Sequence, residues 1–534
     1  MFSGAILGLS FPPLPFPFQI LMFGGFIPYF VVIEKKKSLL EINRASYLTF
    51  FVFCLITLYW VGSWQKSTDP FLMISGVVLL FFNPSILLIA STLYYFSRKI
   101  FPEKYSIYLF PFFWVTYEYL YMLTDASFPW LTLGNGLSHF ISFIQIADII
   151  GALGLTLVIV FINVLLYKAI MNFKSQKIFF KRIIHFSTAV LIFLLILIYG
   201  FVRLSSFDHP ADKITIGLIQ PNLDPWEKWG GFDTDKLITG YLNLSRKAAV
   251  QKAQLIIWPE TALPFYLMSG NYQSVVDSIY NFIEKKNVYL MTGMPDLILH
   301  RQNIPEDSKY SEAGGFYYST YNGILFFSPH SSYIGHYGKM KLVPFGERVP
   351  FVDEFPFLGK IIKWSVGISG WNVGKDTAVF KMTFGKMPAG SADSVMLAGL
   401  VCYESIYPEF VASFVQKGAE VIAVVTNDSW YGNSSGPYQH KEMSVLRAVE
   451  NRRSVVRAAN GGISTIIDPT GITKAETKMF DRTFLAGDVE IQHEKTFYTQ
   501  HPKIISLGSS LVSLWVFGIF LLKMIKHISK KNVS

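Results

Sequence analysis

An apolar run of strand length, Val395-Met396-Leu397-Ala398-Gly399-Leu400-Val401, stops abruptly at Cys402-Tyr403-Glu404. A thiol at the end of a strand sits on a rigid frame, at the sheet edge where α/β enzymes carry their reacting groups. The one other cysteine, Cys54, lies inside an apolar run, so the spacing offers Cys402 neither a disulfide partner nor a metal-ligand partner. The bland alternative for Cys402 is a small buried hydrophobe. Two more strand-end clusters carry reactive groups. Trp258-Pro259-Glu260-Thr261-Ala262 puts a carboxylate directly after a short buried strand, with the backbone fixed by proline. Read alone, Glu260 also fits a solvated loop or a helix cap. Tyr337-Gly338-Lys339-Met340-Lys341-Leu342-Val343-Pro344-Phe345-Gly346-Glu347 supplies two lysines that, read alone, suit surface charges.

Taken together, the three clusters fit one task. A thiol is a useful nucleophile only as thiolate, a form that a nearby lysine favours. A glutamate in hydrogen-bond reach removes the thiol proton and returns it to a leaving group, which is typically worth about 10²–10⁴ in rate. The lysine also stabilises a tetrahedral oxyanion, a contribution of roughly 3 kcal/mol per donor. The chemistry is acyl transfer through a thioester.

Such a site needs a sheet to present it, and residues 213–495 read as one soluble α/β domain. Strands are expected at Ile214–Ile219, Leu255–Trp258, Val288–Thr292, Gly323–Phe327, Val395–Val401, Val421–Val425, Ile463–Ile467 and Phe484–Val489. Helices are expected at 233–253 and from Pro437 to about Asn460, the second entered through proline. Alternation of β-branched runs with helical stretches indicates a layered α/β fold.

The rest of the chain is membrane. Of 534 residues 51% are apolar and only 16% charged, well under the soluble norm of about 25%. Spans are expected at roughly 18–33, 45–63, 71–97, 105–123, 149–172, 183–202 and 504–522, with an eighth if residues 1–11 cross. That first piece, broken by Pro12, Pro13, Pro15 and Pro17, suits a short span, a re-entrant piece or part of a kinked element. It lacks the basic start and cleavage site of a signal peptide. The domains are thus 1–212, an N-terminal bundle of six or seven spans; 213–495; and 496–534, a C-terminal span with a basic tail. A net charge of +10 raises the question of nucleic acid, and the placement of the cations answers against it. Lys35, Lys36, Lys37, Arg44, Arg98, Lys99, Lys104, Lys168, Lys174, Lys177, Lys181, Arg182, Lys523, Lys526, Lys530 and Lys531 fall in alternate loops and the tail, whereas the opposite short loops hold only Lys66. By the positive-inside rule those loops are cytoplasmic and the α/β domain is external.

Trp-Pro-Glu, Gly-Lys ahead of Leu-Val-Pro-Phe-Gly-Glu, Cys-Tyr-Glu, and Asn427-Asp428-Ser429-Trp430 together resemble the carbon–nitrogen hydrolase (nitrilase) superfamily. With the flanking spans and Phe128-Pro129-Trp130-Leu131 in an external loop, nearly the whole chain resembles its membrane-integral branch, the apolipoprotein N-acyltransferase family of bacterial inner membranes. The resemblance implies an α-β-β-α sandwich beside a multi-span bundle. It implies Glu260 as general base, Lys339 as oxyanion stabiliser and Cys402 as nucleophile. Lys339 stands eight residues before Glu347, the family's spacing, and Lys341 is the alternative. Glu347 matches a supporting carboxylate. Tyr403, Glu404, Trp229 and Trp430 match positions used in substrate handling and loop movement, with Trp226 the alternative to Trp229. The implied donor is a membrane phospholipid, phosphatidylethanolamine, and the implied acceptor is the α-amino group of the diacylglyceryl-cysteine that opens an apolipoprotein. No cofactor or metal is implied, and a monomer is expected, in the inner membrane with the catalytic domain in the periplasm. The rival readings are a membrane-anchored amidase of the same superfamily, and a non-catalytic scaffold or transporter carrying a nitrilase-like domain.

Other features read as structural. Gly432-Asn433-Ser434-Ser435-Gly436 matches the serine-hydrolase pattern but lies several residues beyond its strand, with Pro437 at once after it, so a glycine-serine loop is expected. The histidines show no metal-binding spacing. Glu118, inside a span, is expected to make a structural hydrogen bond in the bundle. Arg447, Arg452, Arg453 and Arg457 are expected on a solvated, ion-paired helix face.

Overall fold

The computed structural model describes residues 1–531 apart from 66, 67, 69, 172–178, 232, 356, 358–369 and 385–392. Of the cations counted above, Lys66, Lys174 and Lys177 lie outside the described residues. The chain forms two compact units. One comprises Met1–Gly62, Met73–Phe207 and His501–Ser534, and the other Ser63–Leu72 and Asp208–Gln500.

The first unit is helical. Among the described residues five helices are long and apolar enough to cross a membrane: Leu39–Gly62, Leu72–Ile100, Ala147–Met171, Phe180–Ser205 and Ile504–Lys530. The chain is a multi-pass membrane protein. Two expected spans are broken. Residues 18–33 form a 3₁₀ turn, Phe18–Phe23, and a short helix, Ile27–Glu34, separated at Gly24 and Gly25, residues that cost a helix about 1 kcal/mol each. At 105–123 a one-turn helix, Glu103–Ser106, gives way to a 3₁₀ turn and then to Phe110–Met122. Pro111 lacks the N–H a continuing helix needs, so the helix restarts there. The three pieces follow one another without a gap, so the helical stretch from Glu103 to Met122 still extends about 30 Å. Residues Phe2–Leu9 form an eight-residue helix, too short to span. Glu118 is fully engaged in the bundle: Oε1 accepts from Trp114 Nε1 at 2.9 Å and from the Leu133 N–H at 3.0 Å, and Oε2 accepts from Thr156 Oγ1 at 2.9 Å.

The second unit is built on thirteen described strands: β1 (Lys213–Gln220), β2 (Leu255–Trp258), β3 (Tyr289–His300), β4 (Lys309–Ser311), β5 (Phe316–Phe327), β6 (Ile334–Gly338), β7 (Val379–Thr383), β8 (Ser394–Val401), β9 (Val421–Thr426), β10 (Ser454–Ala459), β11 (Thr465–Ile467), β12 (Thr473–Glu476) and β13 (Thr483–Glu490). They make two sheets. One runs β13-β1-β2-β3-β5-β4 with β6 also on β5, and the other runs β12-β11-β10-β9-β8-β7. Each has a parallel heart of three strands. Gly217 pairs with Ile256 and Ile256 with Leu290; Leu400 pairs with Val424 and Val424 with Arg457. Parallel strands covered on both faces read as unbroken apolar runs, which is why Leu255-Ile256-Ile257-Trp258 and Val421–Val425 are apolar throughout and buried throughout.

The sheets face each other, β1 against β10, β3 against β9 and β5 against β8. Gly399 permits this approach, because a Cβ there would come within 2.8 Å of Ile324 on the opposite sheet. Helices Thr234–Val250 and Gln273–Lys286 cover the outside of the first sheet, packing Tyr241, Ala248, Ile279 and Ile283 against Ile256, Trp258 and Leu290. Each fully buried aliphatic side chain of this kind contributes roughly 1.5–3 kcal/mol. Helices Pro408–Gln416 and Ser435–Asn451 cover the second sheet. The result is a four-layer α-β-β-α sandwich.

The expected helix from Pro437 to Asn460 is shorter than its sequence suggested. It ends at Asn451, with Arg452 in the left-handed conformation (φ 47°), and Ser454–Ala459 is instead the buried strand β10. The four arginines therefore do not form a solvated face. Arg447, Arg452, Arg453 and Arg457 are all at most 5% exposed. Three of them saturate buried carbonyls, as Arg447 does with Ile406 O (3.0 Å) and Arg453 with Ala419 O (2.9 Å). The β-branched pair Val455-Val456 and the need of a third parallel strand beside β9 outweigh the helical spacing.

Candidate active site

The carboxyl ends of β2, β6, β8 and β9 deliver their side chains to one cavity of about 110 Å³, lined by Glu260, Lys339, Glu347, Cys402 and Asn427, with tryptophans around them. Glu260 leaves β2 through Pro259, and Thr261 after it takes a left-handed φ of 46°. The turn is held down by an N–H bond from Ala262 to the Gly293 carbonyl (2.8 Å). It lies so close to β3 that a Cβ on Gly293 would meet the Glu260 Cα at 2.6 Å. Glu260 Oε1 accepts from Asn322 Nδ2 at 2.8 Å, and Oε2 accepts from the Asn427 N–H at 3.0 Å.

Lys339 follows β6 immediately, and its N–H donates to the Asn322 carbonyl at 2.8 Å. The ammonium, 1% exposed, lies 2.8 Å from Glu347 Oε1 and 3.4 Å from Glu260 Oε1. Burial alone would drive its proton off, but the Glu347 and Glu260 carboxylates outweigh it and hold Lys339 cationic well above the ordinary lysine range. Glu347 is itself fixed, because Oε2 accepts from the Val343 N–H (2.8 Å) and Oε1 from Asn322 Nδ2 (2.7 Å). One Asn322 amide thus bridges both carboxylates.

Cys402 begins a 3₁₀ turn, Cys402–Ile406, directly after β8, and takes a left-handed φ of 50°. Burial, with the Glu260 and Asp428 carboxylates, pushes its thiol well above the ordinary value, while Lys339 pulls the other way. These influences together favour the neutral thiol over the thiolate.

Glu347 is buried in the cavity wall. Trp229, Trp226 and Trp430 all line the cavity, with Trp226 and Trp430 edge to face at 4.9 Å, so both readings of the tryptophan register reach the site. Trp226 and Trp229 ride on the short helix Pro225–Trp229, capped by Asp224. Between them Lys228 is buried, donates to the Thr261 carbonyl at 2.8 Å, and is pulled down to about 8 by that burial. Tyr403 and Glu404 lie elsewhere and do not line the cavity. Tyr403 is buried edge to face with Tyr407 (5.4 Å). Glu404 is wholly buried and ties the cysteine turn to the lysine loop. Its Oε2 accepts from the Val401 N–H (2.8 Å), and Oε1 accepts from Tyr337 Oη and the Met340 N–H (both 2.6 Å). Lys341 likewise does not line the cavity; its ammonium stands over the Tyr407 ring at 5.3 Å. Ser434 is the cap residue of helix Ser435–Asn451.

Sequence reasoning missed Asn322, whose only signal was a polar residue at the head of the apolar run Gly323–Phe327, and named Asn427 within the motif Asn427-Asp428-Ser429-Trp430 without giving it a role. It also missed that Cys402, Asp428 and His440 bring one potential ligand atom each within 4.8 Å of one another. That set is a poor cation site, because the guanidinium of Arg457 already pairs with Asp428 and lies 3.0 Å from His440 Nδ1.

The carbon–nitrogen hydrolase family matches residues 215–495, which makes the sandwich a domain of that class. Residues 3–165 match the N-terminal domain of apolipoprotein N-acyltransferases. An apolipoprotein N-acyltransferase of Chlorobaculum tepidum is 31% identical over 95% of this chain and 92% of its own. One from Geobacter metallireducens is 31% identical over 96% and 94%. Among solved structures, an amidase from Nesterenkonia sp. is similar at 16% identity and a TM-score of 0.37, covering 56% of this chain and 96% of that one. The chain belongs to the apolipoprotein N-acyltransferase family.

Proposed function

We propose that this protein moves an acyl chain from a membrane phospholipid, phosphatidylethanolamine, to the α-amino group of the diacylglyceryl-cysteine at the start of an apolipoprotein, through a thioester on Cys402. The observation that carries the reading is the common cavity of Glu260, Lys339 and Cys402 in a multi-pass member of this family. Glu260 takes the Cys402 proton as sulfur attacks the sn-1 ester carbonyl. The oxyanion is stabilised by the Lys339 ammonium, and Glu260 hands the proton to the departing lysophospholipid oxygen. In the second half the acceptor amine attacks the thioester, Glu260 accepts an amine proton, and that proton returns to the Cys402 sulfur. Glu347 and Asn322 hold Lys339 and Glu260 in register for both halves. Trp226, Trp229 and Trp430 supply an apolar rim suited to lipid. Residues 213–495 form the catalytic domain, and the basic loops and tail support a periplasmic site in the inner membrane.

The test is incubation of the purified protein with acyl-labelled phosphatidylethanolamine and a diacylated lipopeptide. Label on the peptide amine is expected, with lysophospholipid as co-product. Release of free fatty acid with no labelled peptide would contradict the transfer and favour an amidase-like hydrolysis.

A further inference from the structure

A second charged cluster backs onto the nucleophile. Asp428, His440 and Arg457, from the turn after β9, the helix Ser435–Asn451 and β10, are all buried. His440 Nδ1 lies 2.9 Å from Asp428 Oδ1, and Arg457 pairs with Asp428 Oδ2. The other ring nitrogen, Nε2, lies 3.2 Å from the Cys402 carbonyl oxygen and 3.1 Å from Ser405 Oγ, whose hydroxyl donates to that same carbonyl at 2.8 Å. This concentration of contacts on one carbonyl meets a local need. Cys402 carries a side chain in the left-handed region, a strained conformation for a residue with a Cβ that persists only where the surroundings over-determine it.

The cluster also sets the charge around Sγ. The charged and titratable groups set around Cys402 are Glu260 from the turn after β2, Lys339 after β6, Asp428 after β9 with Tyr431 in the same turn, and His440 from its helix; behind them Glu347 pairs with Lys339, Arg457 from β10 pairs with Asp428, and Glu404 of the cysteine turn is directed to Met340. Lys339 is shared between two carboxylates, so the Asp428 charge has Arg457 as its counter-ion.

We propose that Asp428, His440 and Arg457 are positioning residues for Cys402: Asp428 holds Arg457, whose guanidinium donates to Nδ1 of a neutral His440 and so leaves Nε2–H to donate to the Cys402 carbonyl, which holds the nucleophile in its left-handed turn, and Arg457 cancels a carboxylate charge that would otherwise stand uncompensated beside the sulfur. The inference rests on Cys402 being the nucleophile of the proposed transfer. The direction of the Cys402 shift agrees with it, since Asp428 is among the groups that oppose its ionisation.

The test reads thiol chemistry separately from acyl transfer. The rate of Cys402 alkylation by iodoacetamide is measured at pH 8 in detergent, with C402A as the blank for Cys54. Asp428→Asn removes an anion, raises the thiolate fraction and is expected to speed alkylation about tenfold. Arg457→Gln exposes the Asp428 charge and is expected to slow alkylation about tenfold. The double variant restores neutrality and is expected to return the rate to within about threefold of wild type. A merely structural role moves none of these rates in opposite directions, so equal rates, or changes of one sign in both single variants, would overturn the proposal. Breaking a buried pair can unfold a protein, whereas removing both charges is better tolerated. Should a single variant fail to fold, the double variant decides: thioester formation at least tenfold slower, with alkylation near wild type, is expected, and an undiminished rate of thioester formation would overturn the proposal. Failure of the acyl-transfer reading shows separately, as absence of thioester in the wild-type protein.

Discussion

The Lys339 ammonium is bound first to Glu347, at 2.8 Å. Glu260 stands farther from it, at 3.4 Å, and its other oxygen is held by a backbone N–H. The division leaves Glu260 less committed to the lysine than Glu347 is, which suits the base role proposed for it. Glu347→Gln removes the stronger tether, so Lys339 closes on Glu260. We expect the rate of Cys402 acylation to fall about 10²-fold, in line with loss of a placed oxyanion donor, with phospholipid KM changed less than about threefold. Single-turnover acylation measures it, and a loss confined to KM would contradict the assignment.

Gly293 is where the Glu260 loop rests on β3. A Cβ at this position would sit 2.6 Å from the Glu260 Cα, so Gly293→Ala must push the loop outward. A displacement near 1 Å in a reacting group typically costs about 10²-fold. The variant is expected to fold, to keep alkylation of Cys402 by iodoacetamide, and to lose acylation by roughly that factor. Wild-type acylation in this variant would show that Glu260 needs no exact placement.

Glu404 gives a pH signature. Burial, opposed by its hydrogen bonds from Tyr337, Val401 and Met340 and by Lys339, raises it from 4.5 to about 6. A carboxyl raised on folding contributes stability fully below about pH 4.5 and loses it as pH rises through about 6. The loss is about 2 kcal/mol. Glu404→Gln does not titrate, so the stability advantage of wild type over this variant should shrink between pH 4.5 and 6. Thermal midpoints of both proteins across that range check it, and a constant or widening gap would contradict the burial-driven shift.

Arg453 is a buried cation whose work is to satisfy carbonyls: Nε donates to Ala419 O (2.9 Å), Nη1 to Glu494 O (2.7 Å) and Nη2 to His493 O (3.0 Å). Arg453→Met strands these acceptors and should cost on the order of 3 kcal/mol, read as a fall in thermal midpoint of several degrees. Arg453→Lys offers a single point charge in place of a planar fork and should recover less than half of it. Full recovery by lysine would indicate that charge, not geometry, matters here.

The places of Glu260 and Cys402 in the fold were legible because each follows directly on a strand. Val395–Val401 and Leu255–Trp258 are apolar throughout because both faces are covered, and the breaks at Cys402 and Glu260 mark the sheet edge directly. What escaped was anything set by partners distant in sequence. Arg457 looks like one more cation at helical spacing, and only β9 beside it makes Ser454–Ala459 a strand and buries the guanidinium under Asp428. Glu404 sits two residues from Cys402 and reads as a site residue, yet the 3₁₀ turn rotates it away from the cavity toward Met340. The spans at 18–33 and 105–123 have the composition of membrane helices; Gly24, Gly25 and Pro111 break them locally.

The most direct measurement is intact-mass analysis of the protein after exposure to acyl-labelled phosphatidylethanolamine without acceptor. The expected result is one hydroxylamine-labile acyl chain per protein, mapped to Cys402, absent from Cys402→Ala and lost when a diacylated lipopeptide is added. Lipopeptide acylation that continues in Cys402→Ala, or an acyl adduct on another residue, would contradict it.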